Sequence, residues 1–241
     1  MTGGSVHFQF TTLYIMTFQL IMDSTDPAAW ETVWGFFSQG GWFMVPIMAC
    51  SVIAVAVVVF KLTTLSKSLV LPDGLVNEVE NLEQYLEQGS LNNLDQEFAA
   101  GETALARLCD VALHNAGRRE GKVQEAVQSA AREEIVKMNA GMSTLEVVIT
   151  IAPLLGLLGT ASGLVVVFAH VGQSADHASV GHGISMALNT TVAGLAVAVP
   201  TVMAHSFFSR KIEMMAARLE VIMGKVISAF HHQQSFFKHN D

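Results

Sequence analysis

Three stretches of at least 29 residues contain no Asp, Glu, Lys or Arg: Thr32–Phe60, Val147–Ala175 and His177–Ser209. About 20 apolar residues in a helix cross a bilayer core, so each stretch is long enough. In hydrocarbon every backbone N–H and C=O needs a partner within the spanning element, and a helix supplies these alone. A barrel would instead need many alternating strands of about ten residues. One apolar run could be the buried core helix of a soluble protein. Three runs are another matter in a chain that is 51% hydrophobic and 14% charged, where about 25% charged is usual. The reading is an all-α membrane protein with three transmembrane helices, at 42–60, 147–170 and 184–208.

The basic residues orient those spans. All 13 Lys and Arg fall in two places, Lys61–Lys137 and Arg210–Lys238. Three spans put both places on one side, and positive residues mark the cytoplasmic side. Residues 1–41 and the connection 171–183 then face outward, and 61–146 and 209–241 face the cytoplasm. Pro27 and the aromatic residues after it suggest a short interfacial helix within 1–41. A net charge of -8 gives no footprint for nucleic acid.

Region 61–146 is more than a linker. Pro72, Asp73 and Gly74 mark a break, and Val76, Val79, Leu82, Tyr85 and Leu86 recur at helical spacing. Gly89 and Ser90 suggest a turn. Leu105, Leu108, Ala112, Val123, Val127, Ala130, Ala131 and Ile135 continue a one-sided stripe, interrupted near Ala116–Gly117 and Gly121. The last of these helices is expected to run through Gly141 into the second span. Ile212, Met215, Leu219, Ile222, Met223 and Val226 carry the third span on as a long helix. Such projecting helices need mutual packing, most simply in an oligomer. The carboxylates here follow surface spacing and read as solvated faces.

Inside the membrane the pattern is small and polar. Ala152, Gly156, Gly159 and Gly163 share one face of the second span. Ala187, Thr191, Gly194 and Ala198 share one face of the third. Small faces let membrane helices approach closely, because apolarity gives no drive in lipid. Pro153 and Pro200 remove helical hydrogen bonds and are candidate kinks. Thr160 lies 14 residues, about 21 Å of helix, from Glu146, and Thr191 lies a similar distance, about 22 Å, from Asp176. Both hydroxyls can therefore reach mid-membrane. Each could bond its own preceding turn, or line a wet path.

No ionisable carboxylate or basic group lies at depth. Proton relays in membranes normally use one, so a proton-moving reading needs a partner that carries it. Enzyme readings lack parts: there is no P-loop, GxGxxG fingerprint or HExxH. Two cysteines make neither a disulfide framework nor a metal site. No cofactor or metal is expected.

Three segments carry a family resemblance. Gly40-Gly-Trp-Phe-Met-Val-Pro-Ile-Met-Ala-Cys-Ser-Val52 looks like the opening of an ExbB-like first span. Ala152-Pro-Leu-Leu-Gly-Leu-Leu-Gly-Thr-Ala-Ser-Gly-Leu164 and Ile184-Ser-Met-Ala-Leu-Asn-Thr-Thr-Val-Ala-Gly-Leu-Ala-Val-Ala-Val-Pro200 resemble the second and third spans. The chain resembles the ExbB/TolQ/MotA proton-channel family, closest to ExbB. That resemblance implies a homopentameric ring in a bacterial inner membrane around a single-span ExbD- or TolR-like partner. The partner would supply the membrane Asp, and proton flow would act on a TonB-like protein to drive outer-membrane uptake. It also implies that Thr160 and Thr191 face the pore. A TolQ-like envelope-maintenance motor and a non-conducting structural ring are the alternatives. Met186 stands where many family members have a third-span glutamate, and Phe60 precedes Lys61 where an acidic residue is frequent.

Overall fold

A computed structural model describes residues 41–66, 70–81, 92–116, 118–171 and 177–238, and all described regular structure is helical. The proposed interfacial helix, Leu82–Leu86 and the Gly89–Ser90 turn lie outside the described residues. Seven helices are described: α1 Met44–Thr64, α2 Asp73–Glu80, α3 Asn92–Ala100, α4 Ala104–Asn115, α5 Glu120–Asn139, α6 Met142–Val171 and α7 His177–Lys238. Among the described residues three segments are long and apolar enough to cross a membrane, one on α1, one reaching Phe168 through α6 and one within α7.

Local chemistry sets the helix ends. α1 opens after Gly41, whose φ of 68° suits a residue without a Cβ. It closes where the Thr63 and Thr64 hydroxyls both donate back to the Phe60 carbonyl. Pro72 fixes the entry to α2, and Asp73 in the first turn meets the positive end of the helix dipole. The Thr103 hydroxyl accepts the Ala106 N–H at 3.1 Å and caps α4.

Three boundaries differ from the sequence reading. Gly121 does not interrupt a helix; it sits in the first turn of α5, where a glycine is tolerated. Gly141 does interrupt one. Its φ of 81° separates α5 from α6, and the continuous helix expected there is two helices. The 171–183 connection is partly helix, since α7 begins at His177. Glycines 181 and 183 do not stop it, because no proline follows until Pro200 and the helix keeps its own backbone paired.

The chain divides into two compact units. One comprises residues 1–50 and 150–198. Its described core is Met44, Ile47 and Ala193, flanked by Leu155 and Val197. The other comprises 51–149 and 199–241. It buries Leu71, Leu75, Val76 and Val79 from around α2, Leu105, Leu108, Cys109 and Ala112 of α4, and Val123 and Val127 of α5. The α7 stripe from Ile212 to Val226 is buried at all six positions named from its spacing.

Helix α5 carries one departure with a clear cause. After Val127 the inward position is Glu134, 5% exposed, while Ile135 is only half-buried. Arg107 of α4 donates to both Glu134 carboxylate oxygens, at 3.0 and 2.6 Å, and Lys137 donates at 3.1 Å. A buried carboxylate is tolerated when paired and hydrogen-bonded in this way.

Candidate functional site

Helices α6 and α7 approach closely along a seam of small residues in the first unit. The approach can be measured by the space a side chain would need. A Cβ on Gly163 would lie 2.8 Å from the Ala187 Cβ, and one on Gly159 would fall on the Thr190 side chain. A Cβ on Gly156 would lie 2.9 Å from the Thr190 carbonyl, and one on Gly194 only 2.5 Å from the Ala152 carbonyl. Residue numbers fall along α6 as they rise along α7, so the two helices are antiparallel here. Ala152, Ala187 and Ala198 are buried. Backbone meets backbone because no side chain intervenes, which is the geometry small residues allow in lipid.

Two hydroxyls converge on one carbonyl in this seam. Thr191 donates to the Gly156 carbonyl at 3.0 Å. The Thr190 hydroxyl lies 3.3 Å from the same carbonyl and 2.7 Å from the Ala187 carbonyl of its own helix. Thr190 is 2% exposed, whereas Thr191 is half-buried. Interhelical hydrogen bonds of this kind contribute about 0.6 kcal/mol on average in membranes. Their value lies in fixing the register of two otherwise smooth faces.

Thr160 is placed differently. It is half-buried, and its hydroxyl donates to Leu157 of its own helix at 2.7 Å. The structure does not bring the Thr160 and Thr191 hydroxyls onto a common partner. Thr190 is the fully buried member that spacing did not single out. It stands three residues after Ala187 and four before Gly194, so it fits the stripe as well as Thr191 does. Met186 lies beside Gly41, where a Cβ would be 3.6 Å from its Cε. Pro153 and Pro200 sit inside α6 and α7, each removing one helical N–H donor.

Among the described residues no group of three or more His, Cys, Asp and Glu side chains could hold a metal ion. The seam has backbone carbonyls, hydroxyls and apolar groups. It holds no acid, base or nucleophile suited to covalent chemistry, and it can position helices and offer hydroxyls to a polar path.

Residues 92–221, more than half of the chain, match the MotA/TolQ/ExbB proton channel family. The chain belongs to that family. The matched segment of this MotA/TolQ/ExbB member contains the whole of the α6–α7 seam and leaves α1 outside. Relatives agree. A biopolymer transport protein, ExbB-like 3, of Synechocystis is 31% identical over 70% of this chain and 81% of its own. The biopolymer transport protein exbB1 of Vibrio cholerae is 27% identical over 73% and 78%. An ExbB homolog of Methanothermobacter thermautotrophicus is 31% identical over 62% of this chain, and the alignment spans about half of that relative, 51%. The MotA/TolQ/ExbB family consists of channel and stator proteins rather than enzymes, and this member is a multi-pass membrane protein with long helical extensions.

Proposed function

We propose that the chain is the ring, or stator, subunit of an inner-membrane motor driven by the proton-motive force, of the ExbB–ExbD kind. The observation that carries this reading is the combination of family membership with spans that hold no carboxylate. A subunit of a proton channel with no titrating side chain at depth needs a partner that brings one. That partner is a single-span ExbD- or TolR-like protein with a membrane Asp, encircled by five copies of this chain. A TonB-like protein receives the movement and drives uptake across the outer membrane. Thr160 and Thr191 line the proton path, and the α6–α7 seam of Ala152, Gly156, Gly159, Gly163, Ala187, Gly194 and Ala198 keeps it in register. Pro153 and Pro200 are the points at which the spans bend. The N-terminus is periplasmic and the C-terminus cytoplasmic. The transmembrane potential supplies about 2.3 kcal/mol per charge per 100 mV, enough to bias a conformational step.

Native mass spectrometry of the complex, taken gently from its own membranes, tests this. Five copies with two of a small Asp-bearing single-span protein support the motor. A ring with no such partner, after controls for detergent loss, overturns it. The double variant Thr160→Val/Thr191→Val is expected to insert yet to do less proton-dependent work. Unchanged uptake in a strain carrying both changes would remove the two threonines from the path. Thr160 bonding its own helix and Met186 at the usual glutamate position favour a second reading, a non-conducting ring. A TolQ-like role in envelope maintenance is separated from uptake by the identity of the captured partner.

A further inference from the structure

The break between α5 and α6 is held from α1. α5 ends at Asn139 and α6 begins at Met142. Between them Ala140 is extended, with φ -51° and ψ 130°, and Gly141 takes a φ of 81°. A helix end leaves its last four carbonyls without donors from the helix itself. The Ala140 N–H reaches Lys137 at 3.2 Å. The Met138 carbonyl receives the Lys61 ammonium instead, across 77 residues of sequence.

Lys61 is 1% exposed and Met138 is 7% exposed. An ammonium so deeply enclosed is costly unless it is hydrogen-bonded. At a helix C-terminus a cation also meets the negative end of the helix dipole. One turn earlier on α1, Val57 stands against the other side of the same break. A Cβ on Gly141 would be 3.3 Å from its Cγ1. Val57 and Lys61 are four residues apart, so one face of α1 contacts both sides of the elbow. The sequence places Lys61 at a span end, where a lysine usually reaches for water; here it turns inward.

We propose that Lys61 is a latch on the α5–α6 elbow. Its ammonium caps α5 at Met138 and fixes the direction in which the first turns of α6 leave Gly141. Lys61 acts through the elbow and is a positioning residue. The inference is independent of proton flow and of any partner.

Hydrogen–deuterium exchange on the full-length chain in lipid nanodiscs tests it. In Lys61→Met the amides of residues 139–142 are expected to exchange about tenfold faster than in the wild type, with the α4 amides unchanged. Lys61→Arg, which keeps a cationic donor on a long stem, is expected to restore protection at the elbow. Wild-type exchange at 139–142 in a folded Lys61→Met protein overturns the proposal, as does equal loss in Lys61→Met and Lys61→Arg. If Lys61→Met does not accumulate, the same segment is read in Val57→Ala. Elbow protection close to wild type there supports Lys61 as the holder. A loss of about tenfold would place the hold in the Val57 contact and overturn it.

Discussion

Gly194 and Gly224 lie on the same helix and face opposite fates on substitution. A Cβ at Gly194 would strike the Ala152 carbonyl at 2.5 Å, and backbone has no rotamer with which to yield. A Cβ at Gly224 meets nothing within 4 Å. Gly194→Ala is expected to destabilise by about 1–3 kcal/mol through overpacking. Gly224→Ala is expected to stabilise by up to about 1 kcal/mol through helix propensity. Thermal unfolding of both variants in one detergent checks the opposite signs. The spacing of four, three and four that marks the small faces is visible in the sequence. The choice between adjacent hydroxyls is not. Thr190 and Thr191 differ by about 100° around a helix, and both satisfy a stripe of three and four. Only the approach of α6 decides that Thr190 turns fully inward. Thr160 illustrates the same limit: a hydroxyl that can bond its own turn leaves no mark on the pattern of neighbouring residues.

At the scale of elements, the α4–α5 pair rests on an ion pair that periodicity could not locate. Spacing alone favours Ile135 as the next apolar contact after Ala131, yet the inward turn falls on Glu134, flanked by Arg107 and Lys137. Burial by itself would raise the Glu134 carboxyl. The hydrogen bonds and charges of Arg107 and Lys137 outweigh it and hold that carboxyl below its usual range. A carboxyl lowered in the folded state contributes stability above its unfolded value, about 4.3, and that contribution is lost as the pH falls through the folded value. Glu134→Gln is therefore expected to cost about 1–2 kcal/mol at pH 7, reduced because the Arg107 side chain is 41% exposed and partly screened. The cost should vanish in acid, below the folded value. Unfolding curves of wild type and variant at several pH values show whether they converge in that direction. The helix ends divide similarly. Pro72 announced itself and the Thr103 cap did not, whereas Gly121 and Gly141 are the same residue type with opposite outcomes, set by whether the chain must turn.

At the scale of the whole molecule, charge segregation was the most legible feature. Runs free of charge gave three helical spans, and the motifs on the second and third gave the family. The side on which the extensions lie rests on the basic residues, and it can be tested directly. Glu213 is exposed on α7. Glu213→Cys in a Cys50→Ala background is expected to react with an impermeant maleimide in inverted vesicles and not in intact spheroplasts. The reverse labelling would turn the topology over. Cys109 adds little background, because it is fully buried and burial pushes its thiol up to about 12. The α6–α7 seam has a consequence for how such a chain can diverge. With Gly159 beneath Thr190 and Gly163 beneath Ala187, neither helix can gain volume unless its neighbour gives some up. A larger residue at one of these positions needs a smaller one opposite it, so change here is expected to come in pairs. Phe168 and Leu157, which stand exposed on the same span, carry no such pairing within the chain.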